Sequence, residues 1–245
     1  MAALDSSIYE EIIVTSADGS KDVDIASGTV MISYYEDIFS PTITAKLQVV
    51  NDGGTIEGDD GALQSIYNGL PLRGGEKVSI KIKGNSDNNP GLDFTENRSF
   101  FVSSISNVIV QKKTESFTLN LVSPTAITNE TSRVGKKYPT SLTISESVKT
   151  IVKENLGIEG DIDIDNTQNV YGFIGNMRKP FTILTWLASK SVPELPDEGS
   201  KKPTNATAGY VFYETKSGFH FRSIDNLIES APYGIAYNYS EIIDK

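Results

Sequence analysis

The chain has 245 residues, of which 38% are hydrophobic and 22% are charged, a composition that excludes both a disordered tail and a membrane protein. Its 32 acidic and 22 basic residues give a net charge of −10, which argues against tight nucleic-acid binding through a broad basic surface. The absence of cysteine excludes disulfides, thiolate metal sites and a cysteine nucleophile. No apolar run approaches the roughly 18 residues of a membrane span.

The first half of the sequence alternates apolar and polar residues with a period of two, as half-buried strands do. Ile12–Thr15 and Val23–Ile25 flank the turn Asp18–Ser20 and predict an opening hairpin. Further predicted strands cover residues 30–34, 42–50, 78–82, 100–105, 108–111 and 117–122. Six or seven short strands at this spacing predict a barrel or a sandwich. Between them, Ala62–Tyr67 is a predicted short helix, capped by Asp59 or Asp60.

After Ser123-Pro124 the pattern becomes helical. Thr143 and Glu146 form a capping box before an apolar stripe that ends at Gly157. A second helix is predicted from Pro180, residues 192–208 are predicted to be a long loop that could meet a partner subunit, and residues 210–223 are predicted to be a hairpin. The sequence therefore indicates an α+β, mainly β protein with two domains, residues 1–135 and 136–245.

The only histidine, His220, lies in the predicted strand Phe219–Arg222. A Ser-His-Asp triad needs a nucleophile that this histidine orients, and the sequence has no Gly-x-Ser-x-Gly turn. A structural hydrogen bond or contact with solvent is therefore favoured for His220. One histidine without cysteine also excludes a His/Cys zinc site.

Asp161, Asp163 and Asp165 alternate with isoleucines and resemble the start of a calcium-binding loop. The glycine that should follow the third acid is Asn166, and the position of the bidentate glutamate is Gly172. An edge strand with an acidic solvent face explains this pattern better, because repelling charges discourage edge-to-edge pairing.

Glu57, Asp59 and Asp60 offer the paired carboxylates of a glycosidase. Such a pair must flank a cleft, with one pKa raised by burial, and a glycine-rich acidic loop indicates neither condition. Gly74-Gly75 precedes a strand rather than a helix, so these glycines indicate a turn or bulge and not a phosphate-binding loop. The sequence predicts no catalytic residue, no metal site and no cofactor.

Several segments, in order along nearly the whole chain, resemble the central baseplate hub subunit of T-even-like contractile-tailed phages, a family related to the hubs of contractile injection systems. The first two are Tyr35–Pro41 and Leu70–Glu76. The later ones are Ser145–Leu156, Asn176–Leu187 and residues 209–225. Hub subunits of this kind commonly carry more chain after residue 225, so the second domain is expected to be abbreviated or truncated.

The resemblance implies a tail-tube-like antiparallel β-barrel followed by a mixed α/β domain with a partial second barrel. It implies a homotrimeric ring in the virion, at the tail baseplate, that joins the six-fold tail tube to the three-fold cell-puncturing spike. The implied partners are the tail tube, spike and tape measure proteins, with no membrane and no stable nucleic-acid binding, although DNA would pass through the lumen.

The resemblance implies a structural protein rather than an enzyme. Its candidate assembly residues are Tyr35, Glu36, Asp37, Ile38, Phe39, Pro41, Gly74, Gly75 and Glu76. The alternatives are a cell-wall hydrolase and a glycan-binding β module of the tail tip. Solubility is the favoured explanation of the net negative charge, and the alternative is that part of this charge lines a passage through which DNA slides without sticking.

Overall fold

A computed structural model describes residues 7–52, 54, 56–57, 61–84, 91–95, 98–111, 114–160, 162–194 and 209–231. Most regular structure in these residues is strand, and the largest sheet is antiparallel throughout. The fold class predicted from the sequence, α+β and mainly β, is confirmed.

Within the described residues, the first part of the chain contains ten strands, a 3-10 turn (Ala26–Gly28) and one short helix. The strands are β1 Ile8–Thr15, β2 Asp22–Asp24, β3 Thr29–Tyr35, β4 Thr44–Asp52, β5 Ile56–Glu57, β6 Leu63–Gln64, β7 Lys77–Lys83, β8 Leu92–Phe94, β9 Phe100–Val110 and β10 Thr114–Val122, and the helix is α1 Ile66–Gly69. The opening hairpin is confirmed, and Gly19 in its turn has a φ of 71°.

The large sheet has the strand order β2-β1-β7-β9-β10-β4-β3, and β8 pairs with β7. Within the described residues its two end strands, β2 and β3, do not pair with each other, so the ladder is not a closed barrel. These ends are nevertheless consecutive in sequence and are joined by the single turn Ala26–Gly28. The two end strands of the sheet are therefore linked by a short segment of chain. In a closed barrel they would instead be joined by backbone hydrogen bonds.

The inner face of this sheet forms the first hydrophobic core. Alternate residues of β4 (Ala45, Leu47 and Val49) are at most 2% exposed, whereas their neighbours face solvent. Tyr34 of β3 packs against Phe94 of β8, with ring centroids 5.1 Å apart, although the two strands are far apart in the strand order. This contact shows that the sheet curls around its core.

The described residues of the second part of the chain form four helices and five strands. They are α2 Pro124–Thr131, β11 Lys137–Tyr138, α3 Ile144–Leu156, β12 Asp163–Ile164, β13 Phe173–Ile174, α4 Pro180–Ala188, β14 Tyr210–Thr215, β15 Gly218–Ser223 and α5 Ile224–Glu229. Helix α3 has the predicted capping box, and it ends at Gly157, whose φ is 68°. The helix from Pro180 and the hairpin β14–β15 are also confirmed.

A second cluster of buried apolar residues lies between α3, α4 and the sheet β12-β15-β14. All members of the first cluster lie between residues 12 and 121, and all members of the second lie between residues 134 and 221. The boundary between residues 135 and 136 stays a prediction.

Two local predictions were wrong, and one helix was not predicted. The segment Ala62–Tyr67 is not a helix: β6 precedes α1, whose cap is Ser65, with Oγ accepting from the Asn68 amide at 3.3 Å, rather than an aspartate. The two predicted strands at 100–105 and 108–111 are one strand, β9, which tolerates an irregularity where Asn107 adopts a φ of 54°. Helix α2 was missed because it is short and only weakly amphipathic.

Candidate assembly surface

The first two of the segments that carry the resemblance lie at the same end of the large sheet. Tyr34 pairs with Ala45, Ala45 with Leu121, and Leu121 with Val102. The carbonyl of Val102 then accepts a hydrogen bond from the Gly75 amide at 2.7 Å. One row across the sheet therefore connects the segment at Tyr35 with the Gly-Gly-Glu segment.

Glu36 joins this end of the sheet to the second part of the chain. Its Oε1 atom accepts from the Tyr34 hydroxyl at 2.5 Å and from the backbone amide of Lys216, in the β14–β15 turn, at 2.6 Å. Burial and the hydrogen bond to Glu36 raise the pKa of Tyr34 well above its ordinary value, so this hydroxyl remains a donor. A residue predicted to face another subunit is thus used within its own chain.

The β3–β4 loop presents apolar side chains outward. Phe39 is 78% exposed, and Ile38 and Tyr35 are about half exposed. The loop is ordered by Asp37, whose Oδ1 accepts from the Phe39 amide and whose carbonyl accepts from the Ser40 amide, both at 2.9 Å. We call Ile38 and Phe39 the apolar knob. Pro41 is half-buried behind it.

The Gly-Gly-Glu segment is held internally. Gly74 and Gly75 have φ values of 107° and 94°, a region that favours glycine. Glu76 is 1% exposed, and its carboxylate accepts from the amides of Arg73 at 2.7 Å and Gly74 at 3.0 Å. The carboxylate of Glu76 therefore shapes this loop and offers almost no surface to a partner.

A second carboxylate, Glu214 of β14, ties the two cores together. It is 8% exposed, and its Oε2 accepts from the Ile43 amide at 3.0 Å. Burial raises the pKa of Glu214, while hydrogen bonds from Ser123, Ile43 and Thr42 act in the opposite direction without cancelling the rise. The charged form thus costs free energy here, yet the hydrogen bonds hold β14 against the start of β4.

Arg98 completes this connection. Its guanidinium donates to the carbonyls of Lys216 and Ser217, in the same turn that Glu36 holds. We call Glu36, Arg98 and Glu214 the clamp. Beside it lies a cleft of about 800 Å³, lined by Ile43 and Phe94 of the first core, Phe219 of the second core and Thr128 of α2.

His220 sits in a hydrogen-bonded relay beside the clamp. Its Nε2 lies 2.9 Å from Thr215 Oγ1 and 3.3 Å from Ser217 Oγ, and its Nδ1 lies 3.3 Å from Asp163 Oδ2. This order of groups resembles a catalytic triad, which also requires free donors for an oxyanion. The amides of Lys216 and Ser217 already donate to Glu36 and to Thr215 Oγ1. The relay therefore orders the turn.

Asp163 and Asp165 both pair with Arg222. Arg222 Nη1 lies 2.5 Å from Asp163 Oδ2, and Nε lies 3.1 Å from Asp165 Oδ2. Burial alone would raise the pKa of Asp163, but hydrogen bonds from Arg222 and His220 outweigh it and lower that pKa. The predicted edge strand is confirmed as β12, which among the strands that the structure describes pairs only with β15. Asp163 and Asp165 therefore contact the guanidinium of Arg222 and do not face solvent alone.

The other predicted carboxylates are not gathered at this surface. Glu57 is in β5, at the short β5–β6 ladder, and Asp59, Asp60 and Asp161 lie outside the described residues. Among the residues that the structure describes, no three His, Asp or Glu side chains are grouped so that they could hold a metal ion. In that same part of the chain, no helix combines the length and apolarity needed to cross a membrane.

Sequence reasoning missed the residues that fix the site. Arg98 and Glu214 were not singled out, and neither was Glu115, which is 2% exposed and accepts from the Ile66 amide at 2.6 Å. Glu214 did leave a signal, because a lone acid in the otherwise apolar run Tyr210–Tyr213 predicts a buried, paired carboxylate. Arg98 lies in a polar stretch, so its sequence context gives no signal of its role.

Known structures share this fold. Over 86% of its length the chain is similar to the 43 kDa tail protein of prophage MuSo2 from Shewanella oneidensis, with a TM-score of 0.51 and 14% identity. Over 95% of its length it is similar to the prophage tail protein gp18 from Listeria monocytogenes, with a TM-score of 0.51 and 11% identity. The fold is that of phage tail proteins.

The chain spans 54% and 56% of the lengths of these two proteins, which is about half of each. No family model matches the sequence. No curated protein matches it either. At these identities the likeness concerns the fold alone.

Proposed function

We propose that this chain is a structural, non-enzymatic component of a phage tail, and specifically the central hub of a contractile-tail baseplate. Three copies form a ring in the virion that joins the six-fold tail tube to the three-fold cell-puncturing spike. The tail tube, spike and tape measure proteins are its partners, and DNA passes through the ring without stable binding.

The observation that carries this proposal is the shared fold with two prophage tail proteins over most of the chain. The ordered motifs of the hub family give the finer assignment, since the first two lie on one row at one end of the sheet. An ordered loop that exposes an apolar knob suits a protein that works by contact with neighbours.

The proposal is tested by native mass spectrometry and negative-stain electron microscopy of the purified full chain, alone and with the spike protein. We expect a trimer and a ring with three-fold symmetry. A chain that stays monomeric at all concentrations, with and without the spike protein, would refute the hub assignment.

A cell-wall hydrolase of the tail tip is the second candidate, and the Thr215–His220–Asp163 relay is the observation that favours it. The backbone amides of Lys216 and Ser217 count against a hydrolase, because they already donate hydrogen bonds within the chain and are not free to bind an oxyanion. Purified protein added to cell-wall preparations should release no fragments, and a Thr215→Val variant should behave identically. Fragment release that Thr215→Val abolishes would favour the hydrolase. The third candidate is a glycan-binding module, and a glycan array without signal would exclude it.

A further inference from the structure

The apolar knob is unusually well prepared for binding. Asp37 holds the loop through two hydrogen bonds, and Glu36 anchors its base to the β14–β15 turn. Phe39 nevertheless keeps 78% of its surface exposed. A loop whose backbone is already held loses little backbone freedom when its aromatic side chain is buried, and such a side chain can bury roughly 150 to 250 Å². The loop therefore presents a preorganised anchor.

A groove of matching character lies on the second part of the same chain. It has a volume of about 560 Å³ and an apolar floor of Ile158, Ile162 and Ile164, each half-buried. Lys149 and Lys153, one turn apart on α3, form its rim together with Glu159. Neither lysine forms an ion pair with a carboxylate among the described residues. We call this the α3 groove.

The knob and the groove are complementary in charge. The knob is preceded by two acids, Glu36 and Asp37, and the groove has a floor of isoleucines and carries two lysines against one glutamate. Phe39 is too exposed to occupy the groove of its own chain. A knob from a second copy has the acidic charge that the groove favours and is free to enter it, so no other kind of partner is needed.

We infer that the apolar knob of one copy inserts into the α3 groove of the next copy. Because the knob and the groove are different surfaces, the contact is heterologous, and it repeats from copy to copy until a ring closes. The inference deepens the proposed function and rests on it, since it supplies the subunit contact of the proposed ring. One knob buries far less than the roughly 1,200 Å² of a stable interface, so the contact is one part of a larger one.

The chain has no cysteine, which makes disulfide trapping a direct test. A Phe39→Cys chain is mixed with an Ile158→Cys chain under mild oxidation, and crosslinked dimers are quantified on a non-reducing gel. The matched control replaces Ile158→Cys with Val170→Cys, a position that is 54% exposed and outside the groove. We expect at least a several-fold higher yield for the groove pair.

Charge variants test the electrostatic part. Asp37→Asn keeps an oxygen for the Phe39 amide but removes the charge, and Lys149→Gln with Lys153→Gln neutralises the rim. Each change should lower the crosslinking yield several-fold, and the combined variant should lose little more, because both changes remove the same interaction. Independent, additive losses would contradict the contact.

The outcomes separate this contact from the hub assignment. Equal yields for the groove and control pairs, or crosslinking of Phe39→Cys to a tube or spike protein instead, would overturn the knob-in-groove contact. A wild-type trimer without the groove crosslink refutes the contact and leaves the hub standing. Groove crosslinks in open chains that never form a trimer refute the trimeric ring and leave the contact standing.

Discussion

The side-chain carboxylate of Glu214 accepts a hydrogen bond at 3.0 Å from the backbone amide of Ile43, a residue 171 positions earlier in the chain. The bond is buried, and it joins the strand that begins after Pro41 to the hairpin of the second core. Because Glu214 combines a buried position with a raised pKa, its replacement should affect stability in two separable ways.

Glu214→Ala should lower the free energy of unfolding by about 1–3 kcal/mol, because it leaves the buried Ile43 amide without its acceptor. Urea denaturation followed by circular dichroism measures the change. Glu229→Ala, at an exposed position of α5, is the matched control and should change stability by less than about 0.5 kcal/mol. Equal effects of the two variants would show that the Glu214–Ile43 bond adds nothing.

The pH dependence of Glu214 should run opposite to ordinary acid denaturation. A carboxyl whose pKa is higher in the folded state contributes its full stability below its unfolded pKa, and that contribution is lost as pH rises through its folded pKa. The wild type should therefore gain stability relative to Glu214→Gln as pH falls from 7 towards 4. Melting temperatures of both proteins across this range measure the difference, and a constant difference would refute the raised pKa.

Gly75→Ala should destabilise the fold by about 1–3 kcal/mol, because its φ of 94° is strained for any residue with a side chain. Space is not the reason, since a methyl group at Gly75 would meet nothing within 4 Å. Gly160 is equally open but lacks a positive φ, so Gly160→Ala should be neutral or slightly stabilising. Thermal melts of both variants distinguish backbone strain from crowding.

Arg222→Met should remove the partner of Asp163 and Asp165 and cost about 1 kcal/mol at neutral pH. The pKa of Asp163 is lowered in the folded state, so the stability it provides is present above the unfolded pKa and is lost as pH falls. The difference between wild type and variant should therefore shrink below pH 4. Denaturation at pH 7 and pH 3.5 tests this, and an unchanged difference would contradict the ion pairs.

Much of the fold could be predicted from the sequence because its signals are local. Alternation predicted β4 and β7, and the Thr143–Glu146 box and Gly157 predicted both ends of α3. The split of β9 into two strands was wrong because Asn107 interrupts the alternation without ending the ladder. The periodicity of one strand does not show whether its pairing with a neighbouring strand continues after a shift in register.

The candidate site was harder to predict, because its contacts are long-range. The sequence singled out Glu36 and Phe39 together, yet Glu36 accepts from the Lys216 amide of its own chain, whereas Phe39 is 78% exposed. Only the position of the β14–β15 turn decides between these roles. The sequence also did not predict that Glu76 accepts hydrogen bonds from its own loop, since a glutamate at the start of a strand is usually exposed.

The clamp also has a consequence for the order in which the molecule folds. Every residue of the first buried cluster has been synthesised by position 121, well before the β14–β15 hairpin exists. That cluster can therefore condense while the rest of the chain is still being made. The bond between Ile43 and Glu214 encloses a long loop of chain, so it closes late, after both of its ends are already ordered. A nascent chain has its sheet in place before the knob loop gains its anchor at Lys216.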